Sequence, residues 1–250
     1  MKKNTIVGIL LLSLLLITGL SGIVTAITAE EIINYRDKNE YIISARIEAE
    51  MIIVNGGRKM TKTLRSLSDD QNALTEFTNP RDRGTKFLKR GEDLWMFFPE
   101  AEDVVKISGH MLNQSMMGSD FSYQDMMESD QLTELYQFKI LQEEELDGRL
   151  CYVLEGIARE GKEVSYYRRV IWVDQERFVG LKEELYARSG RLLKVSMVNK
   201  IEQIDQRWIP IESVMENKLR ENTRTEFKLL SIEFNPEIAE GVFTLESLQS

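Results

Sequence analysis

The chain has 250 residues, with 32 Lys and Arg against 41 Asp and Glu, a net charge of −9 and one cysteine. That balance argues against nucleic acid and anionic membrane surfaces as partners. A lone cysteine excludes an intramolecular disulfide, so the fold must rest on its apolar core. One His and one Cys are too few for a typical zinc site, and the chain holds no glycine-rich phosphate loop, so no metal or cofactor is expected.

Residues 1–29 read as a secretory leader. Lys2 and Lys3 precede an apolar run from Ile6 to Leu20, and small residues follow, placing cleavage after Ala26 or after Ala29. A retained membrane anchor is the alternative reading of the same run. Without Lys2 and Lys3 the 32 basic residues fall to 30 against 41 acidic, a net of −11 for the exported part. Residues 30–250 are expected to form one domain.

A helix is expected over Thr28–Lys38, capped by Thr28, with Glu30 and Glu31 at its positive end. From Ser44 the apolar period becomes two: Ala45, Ile47, Ala49 and Met51 alternate with Arg46, Glu48 and Glu50, as in a half-buried strand. Asn55-Gly56-Gly57 supplies a hairpin turn, because these residues accept positive φ. Further strands are expected over 61–67, 74–78, 86–89, 94–98 and 104–107.

The alternation stops between Ser108 and about Leu135. Met116, Met117, Phe121, Tyr123, Met126 and Met127 fall in this break, and Ser122 is placed to cap a short helix over 123–129, with Asp125 at its third position. Long non-strand insertions in a compact domain are often binding loops or lids.

Strands resume at 138–141. Asp147-Gly148 is a strong two-residue turn, leading to strands over 150–157, 166–173, 178–186, 192–198, 208–219 and 225–234. Pro210 suggests an edge strand or a strand start. A short helical or irregular tail follows Pro236. The total is about ten to twelve antiparallel strands, mostly next-neighbour hairpins, which points to a large curved sheet or an open barrel.

The residues offer little for catalysis. There is no Gly-x-Ser-x-Gly elbow, and a triad of His110, Ser119 and Asp120 competes with a plainer reading in which Gly118-Ser119-Asp120 is a capped turn. The run Glu143-Glu144-Glu145 with Asp147 lacks calcium-loop spacing and reads as a solvated strand end. Cys151, between Leu150 and Tyr152, reads as a buried, inert thiol. The chain is therefore expected not to be an enzyme.

The motif Asn79-Pro80-Arg81-Asp82-Arg83-Gly84-Thr85, the run Leu94-Trp95-Met96-Phe97-Phe98-Pro99, Val104-Val105-Lys106-Ile107, and Ser115-Met116-Met117-Gly118-Ser119-Asp120-Phe121-Ser122-Tyr123-Gln124-Asp125-Met126 occur in this order. Together with Arg207-Trp208-Ile209-Pro210 and Phe243-Thr244-Leu245 they resemble the outer-membrane lipoprotein-sorting proteins of the LolA/LolB-like superfamily. The likeness is to the periplasmic branch often encoded beside RND-type (MMPL-like) exporters.

The resemblance implies a mainly β fold with a helical plug (α+β), an incomplete β-barrel of about eleven strands. It also implies a hydrophobic cavity that carries lipid or the acyl chains of lipoproteins across the periplasm, and no cofactor. On this reading Trp95, Phe97, Met116, Met117, Phe121, Tyr123, Met126 and Met127 are the candidate lipid-binding residues. Strand alternation leaves open whether Trp95 and Phe97, or Leu94, Met96 and Phe98, face the cavity. Gly118, Ser119, Asp120 and Asp125 are expected to shape and anchor the lid. The expected partners are lipid or acylated lipoprotein cargo and an RND/MMPL-type inner-membrane exporter, and the chain is expected to be monomeric. The alternatives are an accessory protein of that exporter with no cargo of its own, or an exported hydrolase dependent on His110.

Overall fold

The structure is a computed structural model and describes residues 26–127 and 132–249. Of the leader expected over residues 1–29, residues 1–25 lie outside the described residues, as does the end of the helix expected to reach Ser129.

Helix α1 (Ala29–Glu40) opens the described chain. Its start is a capping box. The Glu31 amide donates to Thr28 Oγ1 at 3.2 Å, and the Thr28 amide donates to the Glu31 carboxylate at 2.8 Å. Those hydrogen bonds hold the Glu31 pKa below its ordinary value.

Six strands follow, β1 (Ala45–Asn55), β2 (Arg58–Ser68), β3 (Asn72–Phe77), β4 (Lys86–Arg90), β5 (Asp93–Phe98) and β6 (Asp103–Ile107). Seven more come after the break, β7 (Tyr136–Leu146), β8 (Arg149–Ala158), β9 (Arg168–Asp174), β10 (Gly180–Tyr186), β11 (Leu192–Ile204), β12 (Arg207–Asn217) and β13 (Thr223–Phe234). Every segment read as a strand is one. The total of thirteen exceeds both the ten to twelve expected from the segments and the eleven implied by the resemblance.

All thirteen form one antiparallel sheet in the order β6-β5-β4-β3-β2-β1-β13-β12-β11-β10-β9-β8-β7. It is curved and not closed into a barrel. The chain runs outward from β1 to one edge, crosses to the opposite edge, and returns by successive hairpins until β13 pairs with β1. Asn55 lies opposite Thr223, and Ala45 opposite Phe234. The β1–β2, β12–β13 and β10–β11 turns therefore share one end of the sheet, called here the upper end.

Gly56 and Gly57 make the β1–β2 turn at φ +54° and +82°, a left-handed pair that only glycine adopts freely. Pro210 sits inside β12, a central strand, rather than at a strand start or on an edge strand. It is tolerated there because β12 pairs with β13 only over Glu212–Met215. Below that point the two strands part and the end of α1 serves the freed groups. The Trp208 amide donates to Asn39 Oδ1 at 3.2 Å, and Arg207 Nη1 donates to the carbonyls of Lys38 and Tyr41 at 2.8 and 2.9 Å.

Three apolar clusters hold the sheet. One lies on β1–β6 and includes Met51, Phe77, Phe87, Leu94, Met96 and Met116. A second packs Ile32 and Ile33 of α1 against Tyr136, Leu154, Ile171 and Val173. The third takes the alternate residues of the same strands, Cys151, Val153, Val170 and Trp172, so β8 and β9 are buried on both faces. Cys151 is fully buried, and burial, helped by the Asp174 charge, pushes its thiol up to about 11, so it stays protonated and inert at neutral pH.

In the second cluster, Phe138 stands opposite Gly156, and a Cβ on Gly156 would meet its ring at 2.5 Å. Gly156→Ala is expected to cost about 1–3 kcal/mol through this overpacking, measurable by urea denaturation. The variant Phe138→Leu in the same background should recover part of the loss.

The Asn79–Thr85 motif has a structural role. Asp82 accepts from Lys62 Nζ at 2.6 Å and from Asn79 Nδ2 at 2.7 Å. Burial alone would raise the Asp82 pKa, but these bonds outweigh it and hold the carboxyl below its usual range. That contribution to stability is present above the unfolded carboxylate pKa and is lost as pH falls through the lowered value.

Candidate functional site

The segment between β6 and β7, described at residues 108–127 and 132–135, leaves β6 at its lower end and enters β7 at its upper end, so it crosses the sheet's concave face diagonally between the two free edges. Gly109–Asn113 and Met116–Gly118 are single 3₁₀ turns, followed by α2 (Tyr123–Met127) and α3 (Leu132–Leu135). Ser122 caps α2 as its spacing predicts. The Asp125 amide donates to Ser122 Oγ at 3.3 Å, and the Ser122 amide donates to Asp125 Oδ2 at 2.6 Å. Met117 and Gly118 take left-handed conformations, φ +50° and +82°, that fold Met116 back under the segment.

Ser119 and Asp120 are structural. The Ser119 hydroxyl donates to the Met116 carbonyl at 2.7 Å and accepts from the Phe121 amide at 3.2 Å. Asp120 is buried against β13. Its two carboxylate oxygens accept from the hydroxyls of Thr223 and Thr225 at 2.7 and 2.8 Å, while its amide donates to Thr225 Oγ1 at 2.9 Å. His110 is exposed on the first 3₁₀ turn. The serine and aspartate of the candidate triad are thus both engaged in holding the turn.

Asp125 provides a second tie. Its Oδ2 accepts from Lys194 Nζ of β11 at 2.5 Å and its Oδ1 from the Tyr166 hydroxyl at 2.6 Å. The crossing segment is therefore latched to β13 at one point and to β11 and the approach to β9 at another.

The methionines divide between packing and lining. Met116 is buried in the first cluster, and Met117, Tyr123 and Met127 pack half-buried against it. The Tyr123 ring lies 5.7 Å from that of Phe87, and burial raises its phenol pKa. Phe121 and Met126 also line a cavity of about 480 Å³ between α1, the crossing segment and the sheet.

Strand β5 corrects one expectation. Leu94 and Met96 are the buried residues that meet the methionine segment, whereas the candidates Trp95 and Phe97 alternate to the opposite face. Lys106 lies over the Trp95 ring at 5.4 Å there and pairs with Asp93 at 2.7 Å.

Most of the cavity wall comes from residues that sequence analysis did not select. Leu132, Leu135, Leu185 and Met215 continue the apolar side. Arg36, Asp37, Glu40, Arg169 and Glu183 form the polar side. Arg36 pairs with Asp37 at 3.0 Å and with Glu40, and Arg169 pairs with Glu183 at 2.9 Å. Asp37 also accepts from the Leu132 amide at 3.1 Å, tying α3 to α1.

Burial raises the Asp37 and Glu40 pKa values despite these partners. Their contribution to stability is present at acid pH and lost as pH rises through the raised values, opposite in sign to that of Asp82. One sequence signal was available: Arg36, Asp37 and Glu40 recur at helical spacing beside Ile32 and Ile33, a charged stripe next to an apolar one.

A family model described as an uncharacterized protein matches residues 69–250. A putative outer membrane lipoprotein-sorting protein domain from Vibrio parahaemolyticus matches at 29% identity, covering 88% of this chain and 97% of that one, with a TM-score of 0.76. A LolA superfamily protein from Nitrosomonas europaea matches at 25% identity, covering 89% and 100%, with a TM-score of 0.74. The chain belongs to the LolA/LolB-like superfamily.

A DUF1329 family protein from Desulfovibrio piger is also similar, at 27% identity over 88% of this chain and 97% of that one, with a TM-score of 0.80. No curated protein matches the chain. In this LolA-like sheet, two of the motifs that carried the resemblance have distinct structural roles. Asn79–Thr85 clamps a loop, and Ser115–Met126 forms the latched segment over the concave face. Among the described residues no helix is long and apolar enough to cross a membrane.

Proposed function

We propose that the chain is a non-enzymatic periplasmic carrier that shelters acyl chains of a lipid or lipoprotein between the lid, residues 108–127 and 132–135, and the concave face, within one domain. The observation that carries this reading is the construction of the lid. It sits over a cavity of about 480 Å³, within the range of ligand pockets. It is held to the sheet at Asp120 and Asp125 by polar latches.

Polar latches release at modest cost, while the apolar side chains beneath re-form contacts with cargo. Each acyl methylene taken from water contributes about 0.8 kcal/mol, and methionines adapt to chains of varied shape. The cavity's two-sided lining suits an amphiphile, with the acyl part against Phe121, Met126 and Leu185 and the polar part near Arg36 and Arg169. Similarity to a lipoprotein-sorting domain supports the same class.

Mass spectrometry of lipids extracted from protein purified without detergent tests the proposal. Co-purifying acylated species are expected. A lipid-free protein that also fails to take up a fluorescent fatty acid would overturn it and favour an accessory role beside an RND-type exporter.

A further inference from the structure

Net charge suggests that this chain should avoid anionic surfaces, but the charge is unevenly placed. At the upper end, the neighbouring β1–β2 and β12–β13 hairpins bring together Arg58, Lys59, Lys218, Arg220 and Arg224 against Glu216, Glu221 and Glu226. The next turn along, between β10 and β11, adds Arg188 and Arg191 with no acidic residue. At the lower end, the turns carry Asp69, Asp70, Glu92, Asp147, Glu176 and Asp205 against Arg177. Among the other turns at the upper end, β5–β6 carries Glu100 and Glu102, and β8–β9 sets Glu160 and Glu163 against Arg159 and Lys162, so the basic excess is local to the β1–β2, β12–β13 and β10–β11 turns.

The two basic hairpins also expose apolar side chains. Leu219, between Lys218 and Arg220, is 48% exposed at the β12–β13 tip, and Met60, next to Lys59, is 39% exposed. The tips are adjacent, with the Gly56 amide donating to the Asn222 carbonyl at 3.1 Å. Lys218 pairs with Glu216 and Arg224 with Glu226, so the rim around Leu219 is mixed but net basic. A leucine projecting from a net basic rim matches an anionic bilayer, where the apolar side chain enters the acyl boundary and the cations meet headgroup phosphates. The β12–β13 hairpin is also where the lid is tied. Arg220 Nη1 donates to Ser115 Oγ at 3.4 Å, and Thr223 and Thr225 hold Asp120.

We propose that the β1–β2 and β12–β13 hairpin tips form a docking surface for an anionic lipid bilayer, which presents the lid and its β13 latch to the membrane. The proposal does not depend on what the cavity carries, so it and the carrier reading fail in separate assays.

The test places an environment-sensitive dye on Leu219→Cys in the full chain. Cys151 is buried and its thiol protonated, so labelling is selective. Vesicles of phosphatidylglycerol and phosphatidylcholine should shift the dye to the blue at low salt. Pure phosphatidylcholine should not. With about fivefold in affinity for each basic side chain near the surface, Lys59→Glu/Lys218→Glu should raise the lipid needed for half the shift at least about tenfold. A dye on Asp147→Cys, at the opposite end, should stay unshifted even where an N-terminal segment tethers the chain.

Four results would overturn the proposal: no shift with anionic vesicles, equal shifts at positions 147 and 219, a shift unaffected by the charge reversals, or a response to soluble polyglutamate but not to vesicles.

Discussion

Asp125→Ala is expected to unlatch the lid. Asp125 is the meeting point of three donors: Lys194 Nζ, the Tyr166 hydroxyl and the Ser122 amide. The Lys194 and Asp125 side chains are only 9% and 13% exposed, so alanine would leave a buried ammonium without its carboxylate. Breaking one side of such a pair costs about 3 kcal/mol, far more than an exposed pair would. Losing the cap on α2 adds about 1 kcal/mol.

Urea denaturation should show that loss, and stopped-flow uptake of a fluorescent fatty acid should become faster because the lid opens more often. Asp125→Ala/Lys194→Met separates the two effects. Replacing both charges with apolar groups recovers the part of the loss due to the unpaired ammonium, while the missing cap and Tyr166 bond keep the lid loose. Uptake that is no faster in either variant would show that Asp125 holds the fold and does not gate the cavity.

What the sequence revealed was local. The Thr28 cap, the Gly56-Gly57 and Asp147-Gly148 turns and the Ser122–Asp125 cap each depend on residues a few positions apart, and each appears where its pattern places it. The break at 108–135 was visible as a loss of alternation. Its role as a bridge between the sheet's free edges follows only from the β1–β13 pairing, a contact between residues about as far apart in the described chain as any.

The cavity was hidden for the same reason. Arg36 and Asp37 of α1 line it beside Arg169 and Glu183, and no local pattern links these positions. The face of β5 was ambiguous on other grounds. Leu94, Trp95, Met96, Phe97 and Phe98 are all apolar, so alternation alone does not choose the inner set. The sheet resolves it by setting Met96 beneath Tyr123, whose hydroxyl lies 3.9 Å from the Met96 sulfur.

That choice of face gives the second large effect. Phe121→Ser/Met126→Ser removes two half-buried side chains that line the cavity on the lid side. Hiding a Phe or Met fully from water contributes about 1.5–3 kcal/mol, so two partial contacts with an acyl chain together supply about that much. Affinity for a fluorescent fatty acid should therefore fall about ten- to a hundredfold, at roughly 1.4 kcal/mol per tenfold.

Trp95→Ser/Phe97→Ser removes more aromatic surface from the opposite face of the sheet and should leave that affinity unchanged. Met116→Ala acts differently again. Met116 is buried in the core cluster, so its loss should appear as about 2 kcal/mol or more of stability, with little change in affinity. Equal losses of affinity from the Phe121/Met126 and Trp95/Phe97 pairs would mean that the lipid lies elsewhere than under the lid. A loss confined to the first pair ties binding to the cavity wall that the lid completes.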